Sequence, residues 1–197
     1  MNGHRLLTPA DYRRMPWRNG AGRTTEIATH PPDAALDAFD WRVSVADVVR
    51  DGPFSRFEGV DRTIAVIAGA GMRLEGGGQA VELAELHAPY AFSGDTAIEC
   101  TLLGGPVRDF NLMLRRGRCR GGVIVVRGEG TRVPPARFRL CYVASGACEC
   151  LFAGHAPLTV VADECLEVEA EGAPTALSVN PLTADAVALV VHVDFVA

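Results

Sequence analysis

The sequence predicts an all-β chain built from two tandem antiparallel modules of sandwich or barrel type. Three observations point there. Short apolar or alternating runs recur at about 8–12-residue spacing, punctuated by Gly and Pro, of which the chain has 21 and 12. Helical periodicity is nearly absent. The second half also repeats the first: RTIAVIAGAGMRLEGGGQAVELAELHAPYAFSGD, from Arg62, resembles RLCYVASGACECLFAGHAPLTVVADECLEVEAEGA, from Arg139, at an offset of about 77 residues.

Taken in order, the elements begin with one short helix near Pro9 to Arg14, for which Thr8 is the N-cap. A strand starts near Arg23. Trp41 to Ala46 alternates large apolar with small or polar residues, the period of a half-buried strand. Asp61 to Ala68 follows and is closed by Gly69-Ala70-Gly71. Met72 to Glu75 and Gln79 to Leu86 flank the turn Gly76-Gly77-Gly78. Ile98 to Leu103 and Val107 to Arg115 flank the breaker Gly104-Gly105-Pro106. Arg116 to Arg137, rich in Gly, Arg and Pro, reads as a connector holding one strand, Gly122 to Val126. From Arg139 the first pattern recurs and ends in VALVVHVDFV. The expected division is 1–116 and 117–197.

Composition excludes several functions. The formal charge is −5, and all 19 basic residues are arginine. An acidic chain lacks the net basic face that phosphate contacts need, so no nucleic-acid partner is expected. The apolar run Ala186 to Val191 is far too short to cross a bilayer, so no membrane partner is expected either. The N-terminal segment MNGHRLLTPADYRRMPWRNG lacks the apolar stretch of a signal peptide. The six cysteines then read as reduced core residues of a cytoplasmic protein.

No cofactor is expected. The five histidines are scattered, with no His-x-His pair to put two ligands on one strand face. Cys148-x-Cys150, with His155 near, has such a spacing but reads as small core residues on a hairpin. There is no Gly-x-Ser-x-Gly elbow. Gly20-Ala21-Gly22 and Gly69-Ala70-Gly71 lack the third Gly and the strand–turn–helix setting of a dinucleotide site, so they are turns.

The polar residues concentrate in the first half. Pro16 to Ile27 packs an aromatic ring, guanidinium groups, an amide, a Gly turn and a carboxylate into one segment. On successive strands, Thr24 shares a face with Glu26, Arg42 with Ser44, and Asp109 with Asn111 and Met113. Large apolar residues occupy the opposite faces. In a barrel or sandwich such a polar face is either solvated or lines a cavity. Arg with Ser and Asn suits a small carboxylate.

PWRNGAGRTTEI, FDWRVSVADVVRDGPFSRFEGVDR and GPVRDFNLMLRR, in this order, resemble the signature blocks of the HutD/Ves family. Arg18 stands where the family pattern usually has Lys, Ala21 where it has Gly, and Glu58 where it commonly has Pro. The resemblance implies a jelly-roll-like bicupin, cytoplasmic and associated with histidine utilisation. It implies a protein that binds a pathway intermediate such as formiminoglutamate; a stress-related role attaches to the Ves branch. It carries the pocket onto Trp17, Asn19, Glu26, Arg42, Ser44, Arg62 and Asn111.

The expected function is a non-catalytic binder of a small anionic metabolite. The alternative is a metal-independent isomerase or epimerase-like enzyme using Glu26 or Asp109. A second copy of the chain is a candidate partner, since exposed sheet edges invite pairing. Val187 to Val193 is apolar on both faces except at His192, so the second module is expected to be packed shut. Arg42→Ala should then remove binding at a stability cost below about 1 kcal/mol, and His192→Ala should leave binding intact.

Overall fold

The computed structural model describes residues 2–17, 20–170, 172–174 and 176–196. Its elements are all strands: β1 (Asn2–Leu7), β2 (Arg13–Pro16), β3 (Gly22–His30), β4 (Trp41–Val48), β5 (Gly52–Pro53), β6 (Val60–Ala68), β7 (Met72–Gly76), β8 (Gln79–Leu83), β9 (Tyr90–Ser93) and β10 (Glu99–Leu102). These are followed by β11 (Val107–Arg115), β12 (Cys119–Arg127), β13 (Thr131–Val133), β14 (Phe138–Ser145), β15 (Ala147–Phe152), β16 (Leu158–Val161), β17 (Cys165–Ala170), β18 (Leu177–Pro181) and β19 (Val187–Phe195). Among the described residues, no helix is long and apolar enough to cross a membrane.

The chain forms two compact units, one of Tyr12–Arg118 and one joining Met1–Asp11 to Cys119–Ala197. Each holds two antiparallel sheets. In the first unit these run β2-β3-β4-β11-β6-β9 and β5-β10-β7-β8. In the second they run β1-β17-β14-β19-β12 and β13-β18-β15-β16. The four-stranded sheets have the same connectivity, and β4-β11-β6-β9 corresponds to β12-β19-β14-β17. The correspondence extends to an irregularity: register shifts between Val66 and Ala68 on β6, and between Val143 and Ser145 on β14. Both lie at the offset the sequence repeat gave. This is the bicupin architecture.

Two expectations need correction. Pro9 to Arg14 is not a helix. Asp11 N–H donates to Thr8 O at 2.9 Å, and Asp11 Oδ2 accepts from both the Thr8 N–H and its hydroxyl at 2.8 Å. That reciprocal clasp closes a single turn, and β2 follows at once. The same hydroxyl–carboxylate chemistry that caps a helix also closes a turn. The expected first module also began at residue 1. Instead β1 pairs with β17, from Asn2 opposite Ala170 to Leu7 opposite Cys165, and so belongs with the C-terminal strands.

The first unit's core gathers Val48, Ile64, Val66, Met72, Leu74 and Val107 between its two sheets. The second unit's core is larger and includes Val126, Cys141, Val143, Cys148, Cys150, Ala188 and Val190. All six cysteines are buried, and none is in a disulfide. Burial pushes the Cys148 thiol up to about 11, so it packs as a small hydrophobe.

Candidate ligand-binding site

Antiparallel register places the polar residues of the first unit in rows across the inner face of its six-stranded sheet. The first row is Arg42 on β4, Met113 on β11, Arg62 on β6 and Phe92 on β9. The second is Glu26 on β3, Ser44, Asn111 and Ile64. The third is Thr24, Ala46, Asp109 and Val66. A register shift between Glu26 and Ala28 lets β3 keep Glu26 opposite Ser44 while Thr29 stands opposite Arg42. The period-two alternation of β4 and β11 thus converges on one surface. That surface is not solvated: Glu26, Arg42, Ser44, Arg62, Asp109 and Asn111 are all buried.

All of these but Glu26 line a cavity of about 70 Å³. Arg42, Ser44, Arg62, Asp109 and Asn111 form its polar wall, and Phe54, Phe57, Met113 and Trp17 its apolar one. A wider recess of about 460 Å³ shares Trp17, Thr24, Arg42, Ser55 and Phe57 with it and adds Met15, Pro16, Leu36 and Pro53. The inner chamber has room for a small carboxylate or a few waters. The recess is of the size that takes a metabolite of amino-acid size.

Two buried cations are held differently. Arg42 Nε donates to Glu26 Oε2 at 2.5 Å, a charge-assisted pair with both side chains almost fully enclosed. Arg62 faces no carboxylate directly. Its Nη2 donates to Asn111 Oδ1 at 2.8 Å, and Asn111 Nδ2 donates to Asp109 Oδ1. Its guanidinium carbon lies 5.6 Å from the Phe54 and Phe57 ring centroids and 4.9 Å from that of Phe92, so ring faces solvate the cation. Burial lowers Arg62 to about 10; Asp109 opposes the shift and Arg42 adds to it. Burial pushes Asp109 up to about 7, against the pull of the Arg62 charge and the Asn111 amide, with Asp47 adding to the rise. Asp109 Oδ2 and Arg62 Nε are buried without a hydrogen-bond partner among the described residues.

The Pro16 to Ile27 block builds the adjoining wall. Trp17 Nε1 donates to Thr24 Oγ1 at 2.8 Å, and the Trp17 N–H donates to Gly22 O at 2.9 Å. A Cβ on Gly22 would stand 2.4 Å from Asp47 O and 3.2 Å from the Trp17 ring. Only glycine lets this turn close over the strand.

Of the residues expected at the site, Trp17, Arg42, Ser44, Arg62 and Asn111 line the cavity. Glu26 stands behind Arg42 as its counter-ion, and Asn19 lies outside the described residues. The expectation that Arg42 is cheap to remove needs correction, because its loss would strand the buried Glu26 carboxylate. Asp109 lies on the face expected for it but is a wall residue that the sequence reading did not place in the site. Phe54, Ser55 and Phe57 come from the segment between β5 and β6, which has no period to read.

The HutD family model matches residues 9–187. The chain belongs to the HutD family. An uncharacterized 21.2 kDa protein from the hutC 3′ region of Pseudomonas putida is 39% identical over 169 residues, 86% of this chain and 88% of that one. This ties the family to the hut locus. Protein Ves of Citrobacter koseri is 40% identical over 141 residues, covering 70% and 72%. The structure of HutD from Pseudomonas fluorescens SBW25 superposes with a TM-score of 0.85 at 31% identity, over 99% of this chain and 100% of that one.

Proposed function

We propose that this HutD-family chain is a non-catalytic binding protein that holds a small anionic metabolite in its first barrel, in the service of histidine utilisation. The observation that carries the reading is the buried Arg42–Glu26 and Arg62–Asn111–Asp109 constellation around a chamber of carboxylate size. Arg42 and Arg62 together supply the cationic wall for the carboxylate, Ser44 and Asn111 orient its neighbours, and Trp17 walls the wider recess that takes the rest of the molecule. Formiminoglutamate, a pathway intermediate bearing carboxylates and a polar tail, is the candidate ligand.

Isothermal calorimetry with formiminoglutamate, urocanate, histidine and glutamate tests it. Saturable one-site binding of at least one is expected, and silence from all four at millimolar concentration refutes the histidine-pathway assignment. One observation favours a metal-independent isomerase or epimerase-like reading: a carboxyl near 7 with an open oxygen suits general acid–base work. Turnover of any of the four compounds would put that reading first.

A further inference from the structure

The charges of the chamber do not balance in the way a resting anion site requires, and the imbalance centres on Asp109. Glu26 neutralises Arg42 by direct contact, so that pair brings no net charge. Among the described residues Arg62 donates only to neutral acceptors, the Asn111 amide at 2.8 Å and the Ser55 carbonyl at 3.4 Å. Asp109 is 1% exposed, and only one of its oxygens has a donor. An ionised carboxylate in that position would keep a buried, charged oxygen without a hydrogen bond, a costly state. A neutral carboxylic acid there has a proton to give and leaves Arg62 as the one uncompensated charge of the constellation. That charge suits an incoming anion.

We propose that Asp109 is a specificity-determining residue that stands as a neutral acid and donates its proton to an acceptor oxygen of the bound carboxylate, so that the chamber takes up a small anion together with one proton. The proposal rests on the reading of this cavity as a carboxylate site and names what that site selects. A ligand must offer an acceptor oxygen at the depth of the third row, two rows below Arg42. A ligand presenting an ammonium or another N–H there finds a donor facing it and is rejected.

The groups around Asp109 agree with this. Arg62 approaches from β6 and Asp47 belongs to β4. Arg42 lies on β4, Glu26 on β3, and Cys100 on β10 of the opposite sheet, its thiol pushed up to about 12 by burial, with Asp109 contributing. Of these, Arg62 alone favours the ionised form of Asp109 directly. A bound anion cancels that influence and drives the proton further onto Asp109. The proton comes from solvent and returns there when the ligand leaves.

Two measurements test the proposal on the full chain. Infrared difference spectra of the ligand-free protein between pH 5.5 and 8.5 should show a protonated-carboxyl C=O band that titrates near neutrality and is missing from Asp109→Asn. Calorimetry with formate, the smallest carboxylate, in two buffers of different ionisation enthalpy should show uptake approaching one proton per ligand above pH 7. The affinity should fall by about tenfold per pH unit there. Asp109→Asn should flatten that profile, while Asp109→Leu should lose formate binding altogether. An absent carboxyl band, a wild-type affinity independent of pH, or an Asp109→Asn variant that keeps the wild-type slope would each overturn the role of Asp109 and leave the carboxylate site standing. Failure of formate and all four metabolites to bind the wild type would overturn the site reading and this inference together.

Discussion

The two barrels share a sheet order, a register and even the place of a β-bulge, yet only the first holds the polar constellation. Corresponding positions make the difference concrete. In the first unit Arg62 on β6 faces Met113, and Met113 faces Arg42. In the second, Arg139 on β14 faces His192, and His192 faces Gly122. One row further in, Ser44 and Asn111 correspond to Ile124 and Val190, and after them Ala46 and Asp109 correspond to Val126 and Ala188. The arginine of the central strand survives in both units and is buried in both. The rows beside it differ: in the second unit Val126, Ala188 and Val190 join Cys141 and Val143 in an apolar core. The His192 ring has moved over Gly122, where a Cβ would lie 3.4 Å from Nε2. A jelly-roll barrel is therefore neutral ground. It becomes a site where its inward rows carry polar side chains, and it packs as core where Ser44, Asn111 and Asp109 give way to Ile124, Val190 and Ala188.

The sharpest way to break that comparison is to move residues of the second unit into the first. Arg42→Gly, which installs the residue of position 122, should destabilise the chain by about 3–5 kcal/mol in urea unfolding, because Glu26 is left charged and buried. Adding Glu26→Gln should recover part of that loss. A cost below about 1 kcal/mol for the single change would mean that the pair is not a compensated unit. Asn111→Val removes one amide from between Arg62 and Asp109 and orphans a group on each side. A loss of about 2–4 kcal/mol is expected, and the Asp109 midpoint should move further up, since the amide is one of the forces holding it down.

A smaller effect tests the ionisation of Asp109. Its folded value, about 7, lies above the ordinary 3.8, so between those pH values the native state keeps a proton that the unfolded chain has released. Its contribution to stability therefore falls as pH rises through this window. Asp109→Asn does not titrate and should gain on the wild type by about 1 kcal/mol per pH unit from pH 4 to 7. A stability difference that stays flat across the window would show that Asp109 is ionised throughout. The smallest effect belongs to the second barrel. His192→Ala should change stability by less than about 1 kcal/mol and leave carboxylate binding as it was, in parallel calorimetric titrations. If it abolished binding, the functional half would have been assigned the wrong way round.

What the sequence made legible follows from the period of two. Arg42 and Ser44, and Asp109 and Asn111, fall on one face by counting alone, and the same counting marked Val187 to Val193 as closed. Counting along one strand does not reveal which strands lie side by side. The pairing of β4 with β11 and of β11 with β6, which turns three faces into one wall, is a non-local fact. Asp109 lay on the right face, but its role depends on a missing partner, and an absence of hydrogen bonds has no local signature. Phe54 and Phe57 sit in an aperiodic segment and were invisible for that reason. The turn at Thr8 and Asp11 looks like a helix start in the sequence because a capping residue is recognised by chemistry that turns share.

The pairing of β1 with β17 sets a schedule for synthesis. Arg5, on β1, donates to Glu167, on β17, and the two are 162 positions apart. At ribosomal speed the first strand waits on the order of 10–30 s for its partner to be made. Throughout that interval the strands of Tyr12–Arg118 emerge and have all their partners within reach, so the first barrel can complete itself before the second exists. A waiting strand is an open edge, and open apolar edges aggregate. The waiting strand here reads Asn-Gly-His-Arg-Leu-Leu, with polar residues and a glycine ahead of its two leucines. Such a segment stays hydrated while it waits, and it binds only when the last third of the chain arrives to receive it.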